Sequence, residues 1–300
     1  MAVLINLEFV INTLSLGSLY AMLALGLVIV YGILRLVNFA YGELVMVGGY
    51  TMYLLTFYTP LPWLAVVVLA VLAAMVTSLL TELVAFRPVR EKSLTAMLIT
   101  SFAVSTLLQN GALLIISPRA RAVTLPQIFQ TSVMIAGTSV PWRNILTILT
   151  CIVTLALLTL LLRRTVLGIA LRAAADNFTM TRMLGVPANT VISTAFAISG
   201  IMAGIVSIFW IGRSASVTPT IGLPPLLVAF VATVIGGMRS LTGAVVGGFV
   251  YAIIISLLGV VLPPGLVEFR EAFMFAFVII ILLFRPEGLI RSRTSEERVG

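Results

Sequence analysis

Residues 9–34, 38–58, 62–86, 94–117, 143–162, 190–212, 225–238, 241–262 and 270–285 are apolar and almost free of charge. The hydrocarbon layer of a bilayer is about 30 Å thick and offers no water to unpaired peptide groups. A run of roughly 20 apolar residues therefore has one stable form there, a helix that crosses it. Composition points the same way: 61% of the 300 residues are hydrophobic and 9% are charged. Soluble domains carry about 25% charged residues, and in water this apolar excess would be exposed as aggregating patches. The chain is expected to be an all-α polytopic membrane protein of about eight or nine transmembrane helices. The run at 225–238 is too short for a full crossing and reads as a re-entrant or half-depth helix.

The net charge of +8 does not indicate nucleic acid, because the cations are spread along short connections between apolar runs and form no patch interleaved with aromatics. The positive-inside rule accounts for them. It assigns to the cytoplasm the connections with Arg87, Arg90 and Lys92, those with Arg163, Arg164, Arg172 and Arg182, and the tail with Arg285, Arg291, Arg293 and Arg298. The C-terminus is then cytoplasmic, the loop 118–142 lies outside, Arg35 is cytoplasmic and the N-terminus is outside. Glu8 stands where a signal peptide would be basic, so the first run reads as an uncleaved span. With no histidine and Cys151 as the one cysteine, an internal disulfide and a His/Cys metal site are excluded. A Ser-His pair is excluded too; no G-x-G-D occurs, and Asp176 is the sole aspartate, so an intramembrane hydrolase is not expected. No G-x-x-x-x-G-K-[ST] loop is present to cradle a nucleotide.

Glycines punctuate the spans: Gly200 and Gly204, Gly243 and Gly247, then the pairs Gly236-Gly237 and Gly247-Gly248. Glycines four apart let helix backbones approach closely in lipid, and broken helices at such places can line a path. In "VIGGMRSLTGAVVGG" (234–248), Gly236 and Gly237 are expected to admit a turn, with Gly243 and Gly247 seating the next helix on its neighbour. Glu43 lies a few residues inside an apolar run. A carboxylate at mid-membrane costs about 2.5–3.5 kcal/mol, so it must face protein or water. Asn38 can cap a helix beginning near Phe39, leaving Glu43 just beyond its first turn. Pairing with Arg35 or another arginine, or lining a path, are the two roles open to it.

One segment is water-loving: "RRTVLGIALRAAADNFTMTRMLGVPANT" (163–190). Leu167, Leu171, Ala174 and Phe178 share a helical face, with Arg172, Asp176 and Thr179 turned to the other, followed by Arg182. An amphipathic helix is expected, broken at Gly185–Pro187, with Asn189 or Thr190 capping the next span. A solvated loop would satisfy the charge rule equally well. A platform on which a soluble motor docks would also explain why the segment is helical.

"RAAADNFTMTRMLGV" resembles the cytoplasmic coupling segment of ABC-importer permeases, specifically those of the branched-chain amino acid family. "SLGSLYAMLALGLVIVYGILRLVNFAYGEL" (15–44), "VIGGMRSLTGAVVGG" and "FRPEGL" (284–289) are similar to the same family. The blocks run in family order over nearly the whole chain. The resemblance implies one permease domain over residues 1–300 with its coupling segment at 163–189, in a bacterial or archaeal plasma membrane. It implies a second homologous permease or a copy of this chain, two ATP-binding cassette subunits that hydrolyse the ATP, and an extracytoplasmic substrate-binding protein. Membrane lipid surrounds the assembly, with no nucleic acid and no cofactor in this chain. Arg172, Asp176, Thr179, Arg182 and Gly185 would serve coupling. Asn38, Glu43, Gly236, Gly237, Gly243 and Gly247 would serve the path or helix packing. The cargo would be a branched-chain amino acid or a related small amino acid or amide; a urea or short-amide importer is the alternative. An ion-coupled transporter or channel is a further one, with Glu43 and Glu82 as its candidate groups.

Overall fold

Each apolar run is a helix. In the computed structural model, residues 7–135, 137–286 and 288–290 are described; the tail arginines Arg291, Arg293 and Arg298 lie outside them. The helices are α1 (Leu7–Leu34), α2 (Tyr41–Tyr58), α3 (Trp63–Leu80), α4 (Leu94–Ile115), α5 (Trp142–Arg164), α6 (Val166–Asp176), α7 (Phe178–Met183), α8 (Ala188–Ser214), α9 (Leu223–Gly236), α10 (Leu241–Val261) and α11 (Arg270–Phe284). The last turns of the α3 helix widen to a π-helix over Thr81–Phe86. Among the described residues, six helices are long and apolar enough to cross a bilayer: α1, α3 with its π segment, α4, α5, α8 and α10. The remaining three runs form α2, of 18 residues, α9, of 14, and α11, of 15. At 1.5 Å per residue, α9 and α11 reach about 21 and 22 Å, short of a full hydrocarbon layer.

The chain divides into two compact units. One comprises residues 29–126 and 155–227, centred on α2, α3 and α8. Small residues make this packing close. Ala70, Ala74 and Ser78 recur every turn on α3 and are fully buried. A Cβ on Gly200 would lie 2.7 Å from the Met75 Cα, and one on Gly204 2.7 Å from the Val71 Cα. The Ser78 hydroxyl donates to the Phe196 carbonyl at 2.7 Å across the same seam. The opposite face of α3 exposes Leu64, Val68, Leu72, Val76 and Leu80, again one per turn. Such a stripe fits an apolar solvent. Two short strands, β1 (Arg121–Ala122) and β4 (Ser216–Val217), pair antiparallel in this unit.

The other unit comprises the described residues within 1–28, 127–154 and 228–300. Here α10 is seated on α1, with Gly248 against Ala21 and Gly17 against the Phe249 ring. Tyr20 meets Tyr251 edge-on with centroids 5.2 Å apart. The Ser15 hydroxyl of α1 donates to the Asn144 Oδ1 of α5 at 3.3 Å. Strands β2 (Ser132–Ile135) and β3 (Thr138–Pro141) form a hairpin.

Candidate functional site

The water-loving segment is two helices rather than the expected one. The Thr165 hydroxyl accepts from the Gly168 N–H at 3.0 Å and starts α6; the Asn177 side chain accepts from the Met180 N–H at 3.0 Å and starts α7. An Asn that caps a new helix ends the old one, which is why helical periodicity alone misses this break; the expected one at Gly185–Pro187 is also present, between α7 and α8. The inward face is narrower than its spacing suggests. Leu171 and Ala174 are buried and Phe178 is half-buried, but Leu167 is 46% exposed. Its neighbour Gly168 takes the contact instead: a Cβ there would sit 2.2 Å from the Leu161 carbonyl oxygen, so α6 folds directly onto the end of α5. Arg172, Asp176 and Thr179 are exposed.

The pair is tied down at both ends. Arg35 terminates α1 in the left-handed region, at φ +57, a conformation that costs a non-glycine residue about 1–2 kcal/mol. Its guanidinium donates to the Ala175 carbonyl at 2.6 Å, one of the carbonyls that the last turn of α6 leaves unpaired, where a cation also suits the helix dipole. Past α7, Arg182 reaches Glu91 at 3.9 Å; both are exposed, so this pair contributes at most about 1 kcal/mol. Gly185 then turns the chain at φ +84 with nothing within 4 Å of where a Cβ would stand. Gly185→Val is therefore expected to destabilise through backbone strain alone, by about 1–2 kcal/mol, and Gly185→Asn by less, because Asn tolerates this region. Thermal unfolding of the two purified variants measures the difference.

Neither Asn189 nor Thr190 caps α8. Pro187 occupies the N-cap position without a side-chain bond, and Asn189 instead accepts a hydrogen bond from Arg90. Arg90 belongs to a cluster that spacing did not reveal. Glu82, 1% exposed, accepts from the Ser193 hydroxyl at 2.8 Å and faces Arg90 at 3.8 Å. In a straight α-helix these residues would be about 12 Å apart along the axis. The π turns and the tight turns after them bring the two together. Arg90, Glu91, Met97, Phe178, Arg182 and Asn189 line a cavity of about 450 Å³ beside α7.

Glu43 lies in the first turn of α2, which begins at Tyr41 rather than near Phe39. Asn38 braces the turn before the helix, its side chain accepting from the Ala40 N–H at 3.0 Å. Of the two roles open to Glu43, pairing with Arg35 or another arginine is not what the described residues show. The structure instead supplies the Ser105 hydroxyl of α4, which donates to Oε1 at 3.1 Å, and Oε2 is buried without a hydrogen-bond partner.

In the second unit, of the pair expected to turn, only Gly237 has positive φ, +107; Gly236 is still helical. Gly236 is needed for proximity: a Cβ on it would lie 1.9 Å from the Gly243 carbonyl oxygen, and one on Gly247 2.0 Å from that of Ala232. The backbones of α9 and α10 touch along this line. The "FRPEGL" block closes the same corner, with the Leu289 N–H donating to the Ile235 carbonyl at 2.8 Å and that of Ile290 to Gly236 at 3.2 Å. Those bonds satisfy the carbonyls left unpaired at the end of α9.

Residues 9–282 match the model of the branched-chain amino acid transport system permease component. The chain belongs to that family. The match takes in the whole of 163–189, Glu43 and the α9–α10 glycines. Among relatives of the permease, the high-affinity branched-chain amino acid transport system permease protein BraD of Pseudomonas aeruginosa is 32% identical, with 98% of each chain covered. The permease protein LivH of Salmonella typhimurium is 31% identical, covering 98% of this chain and 97% of that one. A solved inward-facing metal-chelate type ABC transporter aligns at 18% identity and TM-score 0.48, covering 95% of this chain and 91% of that one. The family match and the six long apolar helices make the chain a multi-pass membrane protein.

Proposed function

We propose that this chain is the membrane-spanning permease subunit of a binding-protein-dependent ABC importer that translocates branched-chain amino acids, and that it performs no catalysis of its own. In this reading it pairs with a second permease or a copy of itself. ATP is hydrolysed by two separate subunits beneath the 163–189 segments, on the cytoplasmic side of a bacterial or archaeal plasma membrane. A soluble protein outside delivers the cargo. The observation that carries the reading is the pair α6–α7: it leaves Arg172, Asp176 and Thr179 exposed while Arg35 bonds the end of α6 to the end of α1. A force applied to the exposed face passes into a membrane helix through a hydrogen-bonded joint.

Reversing both charges, Arg172→Glu with Asp176→Lys, is expected to leave membrane insertion intact. Uptake and the ATP hydrolysis stimulated by loaded binding protein should both fall about tenfold or more, because mismatched charges at a docking surface cost several kcal/mol. Uptake and stimulated hydrolysis at the unmodified level would refute the docking role.

A further inference from the structure

Glu43 is 4% exposed and one of its two oxygens has no partner, which is an unusual state for a carboxylate inside a membrane helix. Burying a carboxylate costs several kcal/mol unless a cation or a set of donors meets it. Among the described residues its one side-chain donor is a neutral hydroxyl, that of Ser105, 62 residues away in sequence. The other buried membrane carboxylate, Glu82, is differently placed: a hydroxyl donates to one oxygen and Arg90 stands before the other. Glu82 Oε1 too lacks a hydrogen-bond partner, but a cation stands 3.8 Å from it; among the described residues no cation is so placed at Glu43, which is left one counter-charge short.

What covers the free oxygen is slight. A Cβ built on Gly222 would be 2.6 Å from Oε2, and one built on Gly42 would be 2.1 Å from the Gly222 carbonyl oxygen. The contact therefore requires the absence of side chains on both sides. Gly222 ends the turn 218–222, which runs from exposed Thr220 to buried Gly222 in two residues. The backbone bonds of this turn are local: Ile221 N–H to the Thr218 carbonyl at 3.2 Å, Leu223 N–H to that of Thr220 at 3.4 Å and Leu226 N–H to that of Gly222 at 3.2 Å. A single layer of backbone thus separates the unpaired oxygen from the surface.

We infer that Glu43 is the transit pairing point for the ammonium group of a zwitterionic substrate, and that the turn 218–222 is the cover that moves aside for it. This rests on the importer function proposed above. An amino acid crossing a low-dielectric layer carries a cation that needs a counter-charge at mid-path. Glu43 supplies one that no cation among the described residues consumes. Ser105 fixes the direction of the carboxylate by holding Oε1, leaving Oε2 for the passing N–H donors. A glycine at 222 lets the cover seal without displacing the acid when no substrate is present.

The test uses the whole complex in proteoliposomes, with binding protein and ATPase subunits, and reads uptake and ATP hydrolysis separately. Glu43→Gln preserves shape and removes the charge. The expected result is wild-type assembly and stimulated hydrolysis with uptake slowed about 10- to 100-fold, the range of a lost charge-assisted hydrogen bond. Glu43→Asp should recover part of the rate. Uptake by Glu43→Gln at the wild-type rate overturns the inference, and so does a loss of yield or thermal stability that fully accounts for the lost uptake. Wild-type complex that hydrolyses ATP but moves no amino acid overturns the importer reading and this inference together, an outcome visible before any variant is made.

Discussion

Arg90→Met is expected to destabilise the protein on the order of 3 kcal/mol, because it strands a buried carboxylate. The Glu82 side chain is 2% exposed and Arg90 stands 3.8 Å from its Oε1. At that separation the attraction is Coulombic, and the Ser193 hydroxyl on Oε2 is the closer bond. Removing the guanidinium leaves the charge with one neutral donor, and the group must take up a proton or open the end of the α3 helix to water. The same change frees Asn189 in the first turn of α8, so the entry to a second helix loosens as well. Adding Glu82→Gln to Arg90→Met should recover most of the loss, since the amide has no charge to strand and still accepts from Ser193. Thermal unfolding of both variants decides the matter. Equal destabilisation of single and double variants would show that Arg90 acts by packing and not by charge.

The second large effect is steric. Gly247→Val would drive a branched side chain into the Ala232 carbonyl, which already lies 2.0 Å from where a Cβ would begin. Backbone cannot yield as a flexible side-chain tip can, so α9 and α10 must separate. The carbonyls of Ile235 and Gly236 now bonded by Leu289 and Ile290 would shift with them. Overpacking of this kind costs about 1–3 kcal/mol or more, and folded yield in detergent should fall accordingly. Gly259→Ala, on the same helix with nothing within 4 Å, is the control. It should be neutral or slightly stabilising, as alanine is preferred to glycine in helices by about 1 kcal/mol. If both variants unfold at the wild-type temperature, the close approach of α9 and α10 is not a stability determinant.

These two cases also mark how far the sequence could be read. The glycines of 234–248 were legible as packing residues, because in lipid a backbone contact requires small residues and a spacing of four places them on one face. Which of them turns the chain was not, since Gly236 and Gly237 are alike as residues and only the helix end at Gly236 leaves the positive φ to Gly237. In the segment 163–189 the exposed positions Arg172, Asp176 and Thr179 followed from helical periodicity. The break at Asn177 and the exposure of Leu167 did not, because an internal cap competes locally with the helix and a glycine contact replaced a leucine contact.

By itself the sequence determined the helices and the solvent around them. Apolar runs in a medium without water must bond their own peptide groups within four residues, so secondary structure there is a local matter. The tertiary structure alone decided the polar chemistry. Glu43 and Ser105, Glu82 and Ser193, Arg35 and Ala175, and Leu289 and Ile235 are joined by single contacts between residues far apart in the chain. No periodicity encodes such pairs, and their geometry depends on helix ends, a π turn and a left-handed arginine that are set only when the helices pack.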